Sequence, residues 1–159
     1  VELHPISRDH VKKSFEWISN PKFREDFMIR GEINWEKHID YFETLINDSS
    51  QKAYAIFMAN LHIGNCGYKY LNNTEKSAEL WIYIGSTEAR GLGLGGHALN
   101  KIISKGETEL GLDSIYVHVA CDNKSARRLY ESSGFFENGE CSDEWKNRKI
   151  NMLRMLWEA

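Results

Sequence analysis

The run Thr87-Glu88-Ala89-Arg90-Gly91-Leu92-Gly93-Leu94-Gly95-Gly96 has the composition of an anion cradle. Glycines let backbone N–H groups turn toward a bound anion with no Cβ in the way. A strand should feed the run and a helix should leave it. The helix start adds unpaired N–H groups and the positive end of its dipole. Arg90 adds a charged fork suited to phosphate oxygens. Gly91, Gly93, Gly95 and Gly96 are therefore candidate phosphate-binding positions, and Ile82 and Ile84 on the feeding strand are counted with them. The plain alternative is a glycine-rich turn that starts a structural helix. A dinucleotide fingerprint, Gly91-x-Gly93-x-x-Gly96, is set aside. That motif opens a repeated parallel βαβ array, whereas here it follows helices and a meander. Its acidic partner should end the next strand, but Asp113 stands before that strand.

The apolar pattern supplies the elements that must position this loop. Val1 to Ile6 reads as a short strand. Asp9 to Ile18 reads as a helix with Val11, Phe15 and Ile18 at helical spacing, broken at Asn20-Pro21. Asn34 is placed to cap a second helix whose Ile39, Phe42, Leu45 and Ile46 make one apolar face. Strands are expected over Lys52 to Met58 and Ile63 to Leu71, joined by Ala59 to His62, and then over Ala78 to Ile84. The helix leaving the loop should run from about Gly95 to Leu110, with Leu99, Ile102 and Ile103 inside. Ser114 to Ala120 is a β-branched strand. Ser125 to Ser133 is a short helix that Gly134 is placed to end in the left-handed conformation. Phe135 to Trp145 and Ile150 to Trp157 form a hairpin turning near Lys146-Asn147. This order predicts an α+β fold, one domain over residues 1–159. Its mixed, mostly antiparallel sheet should carry one right-handed parallel βαβ crossover and helices on both faces.

Composition narrows the function. The chain has 159 residues, 42% hydrophobic and 12% aromatic, which describes an ordinary globular protein. A formal charge of −3 is too small to argue for nucleic acid or a membrane surface as partner, and neither is expected. The three cysteines, Cys66, Cys121 and Cys141, are widely spaced and form no CxxC pair. That speaks against a disulfide framework or a zinc site and fits a reducing cytoplasm. The start, Val-Glu-Leu-His-Pro, has neither the basic end nor the apolar stretch of a signal peptide.

Arg90-x-x-Gly93-x-Gly95 resembles the R/Q-x-x-G-x-G/A motif of the GNAT family of N-acetyltransferases. Asn123-x-x-Ala126-x-x-x-Tyr130-x-x-x-Gly134-Phe135 is similar to the second half of that family's CoA site, and the matched core runs from about Ala78 to Phe135. The resemblance implies a GNAT fold, acetyl-CoA as co-substrate, no metal, and Asn123, Ala126 and Tyr130 joining the glycine loop around CoA. Two branches of the family are in view. The tract from Ile115 to Ala120 through Phe136 resembles bacterial polyamine acetyltransferases. The segments from Phe15 to Pro21 and from Trp35 to Phe42 resemble acetyltransferases acting on amino groups of nucleotide-linked sugars. Ile18 departs from that second pattern, which can carry an arginine there.

The resemblance further implies direct attack by a neutral amine in a ternary complex. Tyr130 is the candidate general acid, because a phenol is protonated at neutral pH and can donate to a leaving thiolate. Its alternative is a core tyrosine, since Ala126, Leu129, Tyr130 and Ser133 share a helix face. For the base, Glu79, Trp81 and Tyr83 share one strand face by period two, as do Tyr116, His118 and Ala120 on the next strand. His118 is a direct candidate, imidazole being the side chain that changes charge near neutrality. Glu79 would act through water, and a third reading uses neither. Acceptor contacts are expected between Asn20 and His38. Arg24, Arg30 and His38 suit a nucleotide phosphate, with Trp17 and Trp35 as stacking platforms. Glu25, Asp26 and Glu32 suit a polyamine instead. Arg148 and Trp145 could close the same pocket.

The function expected is transfer of acetyl from acetyl-CoA to the amine of a nucleotide-linked amino sugar, a small-molecule acceptor, in the cytoplasm. A polyamine or protein N-terminal acetyltransferase of the same fold is the first alternative. A CoA-binding regulatory module without turnover is the second. A homodimer is the assembly considered.

Overall fold

Seven strands and five helices occur among the residues described by the structure, a computed structural model covering 1–27, 29 and 31–159, with Trp145 described by its backbone. The strands are β1 (Glu2–Pro5), β2 (Lys52–Met58), β3 (Leu61–Asn72), β4 (Ser77–Ile84), β5 (Ser114–Ala120), β6 (Phe136–Trp145) and β7 (Arg148–Glu158). The helices are α1 (Val11–Ile18), α2 (Pro21–Asp26), α3 (Trp35–Asn47), α4 (Leu94–Thr108) and α5 (Lys124–Ser132). The sheet order is β1-β2-β3-β4-β5-β7-β6. Every neighbouring pair is antiparallel except β4 with β5, which α4 connects. The α+β architecture with one parallel crossover is thus the observed one.

Local chemistry explains most boundaries. Asn34 accepts from Lys37 N at 2.8 Å and caps α3. After α5 the backbone closes a Schellman pair, Phe135 N to Tyr130 O and Gly134 N to Glu131 O, with Gly134 at φ +98°. Lys146 and Asn147 both adopt positive φ, which matches the twist of the β6–β7 hairpin they join.

Four expectations are corrected. Asn20-Pro21 ends α1 but also starts α2. Asn20 Oδ1 accepts from Lys22 N at 2.9 Å, and Pro21 takes the first helical position, where its missing N–H costs nothing. In α1 the deepest residues are Ser14 and Trp17 rather than Val11, Phe15 and Ile18. In α3 His38, Phe42 and Leu45 are buried, whereas Ile46 is exposed. Both helices are turned by one polar residue that finds a partner inside: Ser14 bonds Asn65, and His38 bonds the Val11 carbonyl. The β2–β3 turn is also tighter than expected, since β3 begins at Leu61.

The core lies on both faces of the sheet. On one face Leu99, Ile102 and Ile103 of α4 pack on Tyr68, Leu80, Ile115 and Val117. On the other, Phe42 and Leu45 of α3 pack on Ala53, Ala55 and the ring of Trp81.

Candidate active site

The parallel pair is short. β4 and β5 are in register only at Ser77 with Ser114, Ala78 with Ile115, and Glu79 with Tyr116. Beyond that point β4 stays paired to β3 as far as Ile84, and β5 stays paired to β7 as far as Ala120. The two central strands therefore splay apart. Their facing edges, residues 80–84 and 117–120, carry backbone N–H and C=O groups with no ladder partner across the gap. An extended ligand with amide groups fits such an edge by strand addition.

The gap opens into a cleft of about 1580 Å³. Its floor is made by Ile82, Ile84, Gly91, Gly93, Gly95 and Gly96 on one wall and by Asn123, Ala126 and Tyr130 on the other. At Gly91 and Gly93 φ is +78° and +75°, and a Cβ there would meet nothing within 4 Å. The glycines are required by backbone conformation, and the space above them is open. Gly93 caps α4, whose first N–H groups have no intrahelical acceptor. Asn123 caps α5 by accepting from Ala126 N at 3.1 Å. The loop and the two strand edges fit acetyl-CoA: helix-start N–H groups for pyrophosphate, open edges for the pantetheine amides.

Arg90 is placed differently from the expectation. Its Nε donates to the Ile84 carbonyl at 3.1 Å, and its guanidinium lies 5.9 Å and 5.8 Å from the rings of Phe23 and Phe27. Asp26 stands at 3.9 Å. The side chain ties β4 to α2, so the loop offers anions backbone N–H groups first.

The expected base candidates meet. His118 Nδ1 is hydrogen-bonded to Glu79 Oε1. Glu79 Oε2 also takes Lys69 Nζ at 3.4 Å. Glu79 is buried, His118 is exposed, and both line the cleft where the strands part. A carboxylate accepts, so Nδ1 carries the proton and Nε2 keeps its lone pair. Tyr130 reaches the cleft from the opposite face, packed edge-on to Phe135 at 5.4 Å. Burial pushes its hydroxyl up to about 12, so it holds its proton throughout the physiological range.

The acceptor candidates disperse. Arg30 lies outside the described residues. Arg24 and Trp35 are not among the residues lining the cleft. His38 is buried between α1 and α3, its Nε2 donating to Val11 O at 3.2 Å and its ring against Phe15 and Phe42. Burial lowers its affinity for a proton. Its first duty is therefore packing, although it borders the cleft. Trp17 is no stacking platform: it is buried against Gly85, His62 and Tyr83. The carboxylates considered for a polyamine each hold a lysine: Glu25 with Lys146, Asp26 with Lys22, and Glu32 with Lys37.

Sequence reasoning missed a buried polar chain behind this wall. Asn65 Nδ2 donates to Ser14 Oγ at 2.8 Å and to Tyr83 Oη at 2.6 Å, and its Oδ1 accepts from His62 Nε2 at 2.8 Å. The sole signal was an asparagine inside an apolar strand pattern.

These features define an acyltransferase fold with a CoA-type cleft. The GNAT acetyltransferase domain model matches residues 1–136, and the chain belongs to that family. It is an acetyl-CoA-dependent N-acetyltransferase. Among curated proteins it is 33% identical over 144 residues to the spermidine N(1)-acetyltransferase of Vibrio cholerae, covering 90% of this chain and 76% of that one. It is 27% identical over 130 residues to the acetyltransferase PseH of Campylobacter jejuni, covering 82% and 79%. The structure of the Vibrio cholerae spermidine N-acetyltransferase with CoA and spermine superposes with a TM-score of 0.90 at 24% identity, over 99% of this chain and 94% of that one. A dodecameric form of that enzyme gives 0.84 at 24% identity, over 99% and 92%. No helix among the described residues is long and apolar enough to cross a membrane.

Proposed function

We propose that the chain acetylates the primary amine of a nucleotide-linked amino sugar, by direct attack in a ternary complex. The observation that carries the acceptor class is the makeup of the cleft on the Glu79 face. Trp81 and Tyr83 stack at 6.0 Å and 27°, with Tyr41 and Phe27 beside them on the same cleft. Asp26, Glu32 and Glu79 on this cleft each hold a lysine. An aromatic, charge-balanced wall suits a sugar and a stacked base. A polycation instead needs uncompensated negative charge.

Each side chain then has one task. Held in the cleft, acetyl-CoA supplies the acetyl group as a thioester. The N–H groups at Gly93 to Gly96 hold its pyrophosphate, and the open edge of β4 orients its amide arm. His118 Nε2 takes the proton from the acceptor ammonium, while Glu79 fixes the ring and stabilises the imidazolium that results. Tyr130 keeps its proton until the sulfur leaves, then donates it.

A polyamine is the second reading, because the relative with 33% identity is named for spermidine. The test is kcat/KM for a panel of nucleotide-linked amino sugars, spermidine and a peptide N-terminus. The sugar class should lead. A lead for spermidine of about 100-fold, about 2.7 kcal/mol in transition-state stabilisation, replaces the sugar reading with the polyamine one.

A further inference from the structure

One row of ionisable side chains crosses the sheet at the point where it splits. Lys69 on β3 stands directly opposite Glu79 on β4. Glu79 meets His118 on β5, and His118 stands directly opposite Arg154 on β7. Residues paired in register point to the same face, so a cation flanks the Glu79–His118 pair on each side. Arg154 is held by stacking, its guanidinium 4.4 Å from the centre of the Tyr116 ring. Lys69 is held by its backbone. The β3–β4 register shifts between Lys69 and Asn72, and Tyr70 inside the shift takes φ +56° with its ring 65% exposed. A left-handed aromatic residue costs about 1–3 kcal/mol. Bulges beside active sites commonly re-aim a side chain. Here the shift begins immediately after Lys69 and turns Tyr70 outward, where Lys69 Nζ lies 5.6 Å from its ring while staying 3.4 Å from Glu79 Oε2.

We infer that Lys69 is a positioning residue for catalysis: through its contact with Glu79 it holds that carboxylate in the orientation that sets the His118 tautomer. This rests on the reading of His118 as base. The charged and titratable groups facing the pair are Lys69 and Tyr70 from β3, Glu79 from β4, Tyr116 from β5 and Arg154 from β7. Glu75 before β4 is felt by Tyr116, and Asp143 of β6 borders the same cleft. The sign is fixed. A base works when unprotonated, a nearby cation opposes proton uptake, and removing that cation lets the proton bind at higher pH.

The experiment compares wild type, Lys69→Met, Lys69→Arg and His118→Gln, using thiol release from acetyl-CoA with the best amine of the panel. Lys69→Met should move the acid limb of the kcat/KM profile upward by about half a pH unit or more. Activity at pH 7 should fall, by at most about threefold for a half-unit shift, and recover at higher pH, with KM for acetyl-CoA unchanged. Lys69→Arg should restore the limb. A limb that stays in place in folded Lys69→Met, or a rise confined to acceptor KM, overturns the inference and makes Lys69 a surface or acceptor contact. His118→Gln with full kcat removes the base reading itself, which is a separate failure. Lys69 is 42% exposed, so the substitution leaves no buried cavity. If Lys69→Met still unfolds, Lys69→Gln under the same assay decides the matter.

Discussion

Replacing Gly93 by valine tests whether the backbone at the start of α4 holds acetyl-CoA. Gly93 sits at φ +75°, and a Cβ there would meet nothing within 4 Å. No clash contributes, so the cost is conformational alone, about 1–2 kcal/mol for a left-handed L-residue and more for a β-branched one. Two responses are open to the chain. If the loop keeps its conformation, that cost appears as lost stability, about 2–8 °C in Tm for a domain of this size. If the loop relaxes instead, stability is retained but the N–H groups of the helix start turn away. Each hydrogen bond lost to a charged phosphate then weakens binding by about 1.5–3 kcal/mol, or about 10- to 150-fold. Asparagine tolerates the left-handed region better than alanine or valine. Affinity for acetyl-CoA should therefore rank Gly93, then Gly93→Asn, then Gly93→Ala, then Gly93→Val. Calorimetric titration beside thermal melts reads both quantities. A folded Gly93→Val protein with unchanged Tm and wild-type affinity would refute the assignment of this loop to the pyrophosphate.

Tyr130→Phe keeps the packing against Phe135 and removes only the hydroxyl. It should lower kcat by about tenfold or more, within the range of general acid catalysis, with little change in acetyl-CoA affinity. Full kcat where chemistry limits the rate returns Tyr130 to the core. His38→Ala should cost about 2 kcal/mol of stability from a lost buried hydrogen bond and a cavity, measured by urea unfolding. A selective rise in acceptor KM at unchanged stability would contradict that placement. Acidification should also destabilise the fold. His10, His38 and His62 bind protons less readily when folded, burial being the leading cause for each. Their contribution is complete above the unfolded value near 6.5 and is lost as pH falls below it. The urea midpoint should drop between pH 7 and 5, and a flat profile there is the opposing result.

Legibility in the sequence followed the range of the interactions. The glycine loop, the Asn34 cap and the Gly134 stop were legible because each is satisfied within a few residues. The apolar stripes of α4 and β5 were legible because periodicity and burial agree there. The faces of α1 and α3 were misread because Ser14 and His38 find partners far along the chain, and apolar spacing carries no record of such bonds. The same limit applies at the base. His118 and Glu79 were separate candidates in the sequence because their meeting depends on parallel register between strands separated by a whole helix. Lys69 was not singled out, since its alignment with Glu79 depends on where the β3–β4 hairpin shifts register.

In the proposed mechanism the splayed strands also let proton donor and acceptor work together without neutralising each other. Tyr130 belongs to the core on the α4 face, whereas Glu79 and His118 lie with Trp81 and Tyr83 on the face covered by α1 and α3. In an intact sheet the backbone layer would separate the two groups. Where β4 and β5 part after Glu79 and Tyr116, that layer is missing and both sides reach one cleft. Under the proposed mechanism, a nucleophile entering from the Glu79 face would lose its proton there, and the leaving group would depart toward Tyr130. Burial favours the neutral phenol that the proposed mechanism uses as donor, and a cation stands on each side of the Glu79–His118 pair on the other face. The two halves of the chemistry thus draw opposite electrostatics from the two faces of one sheet.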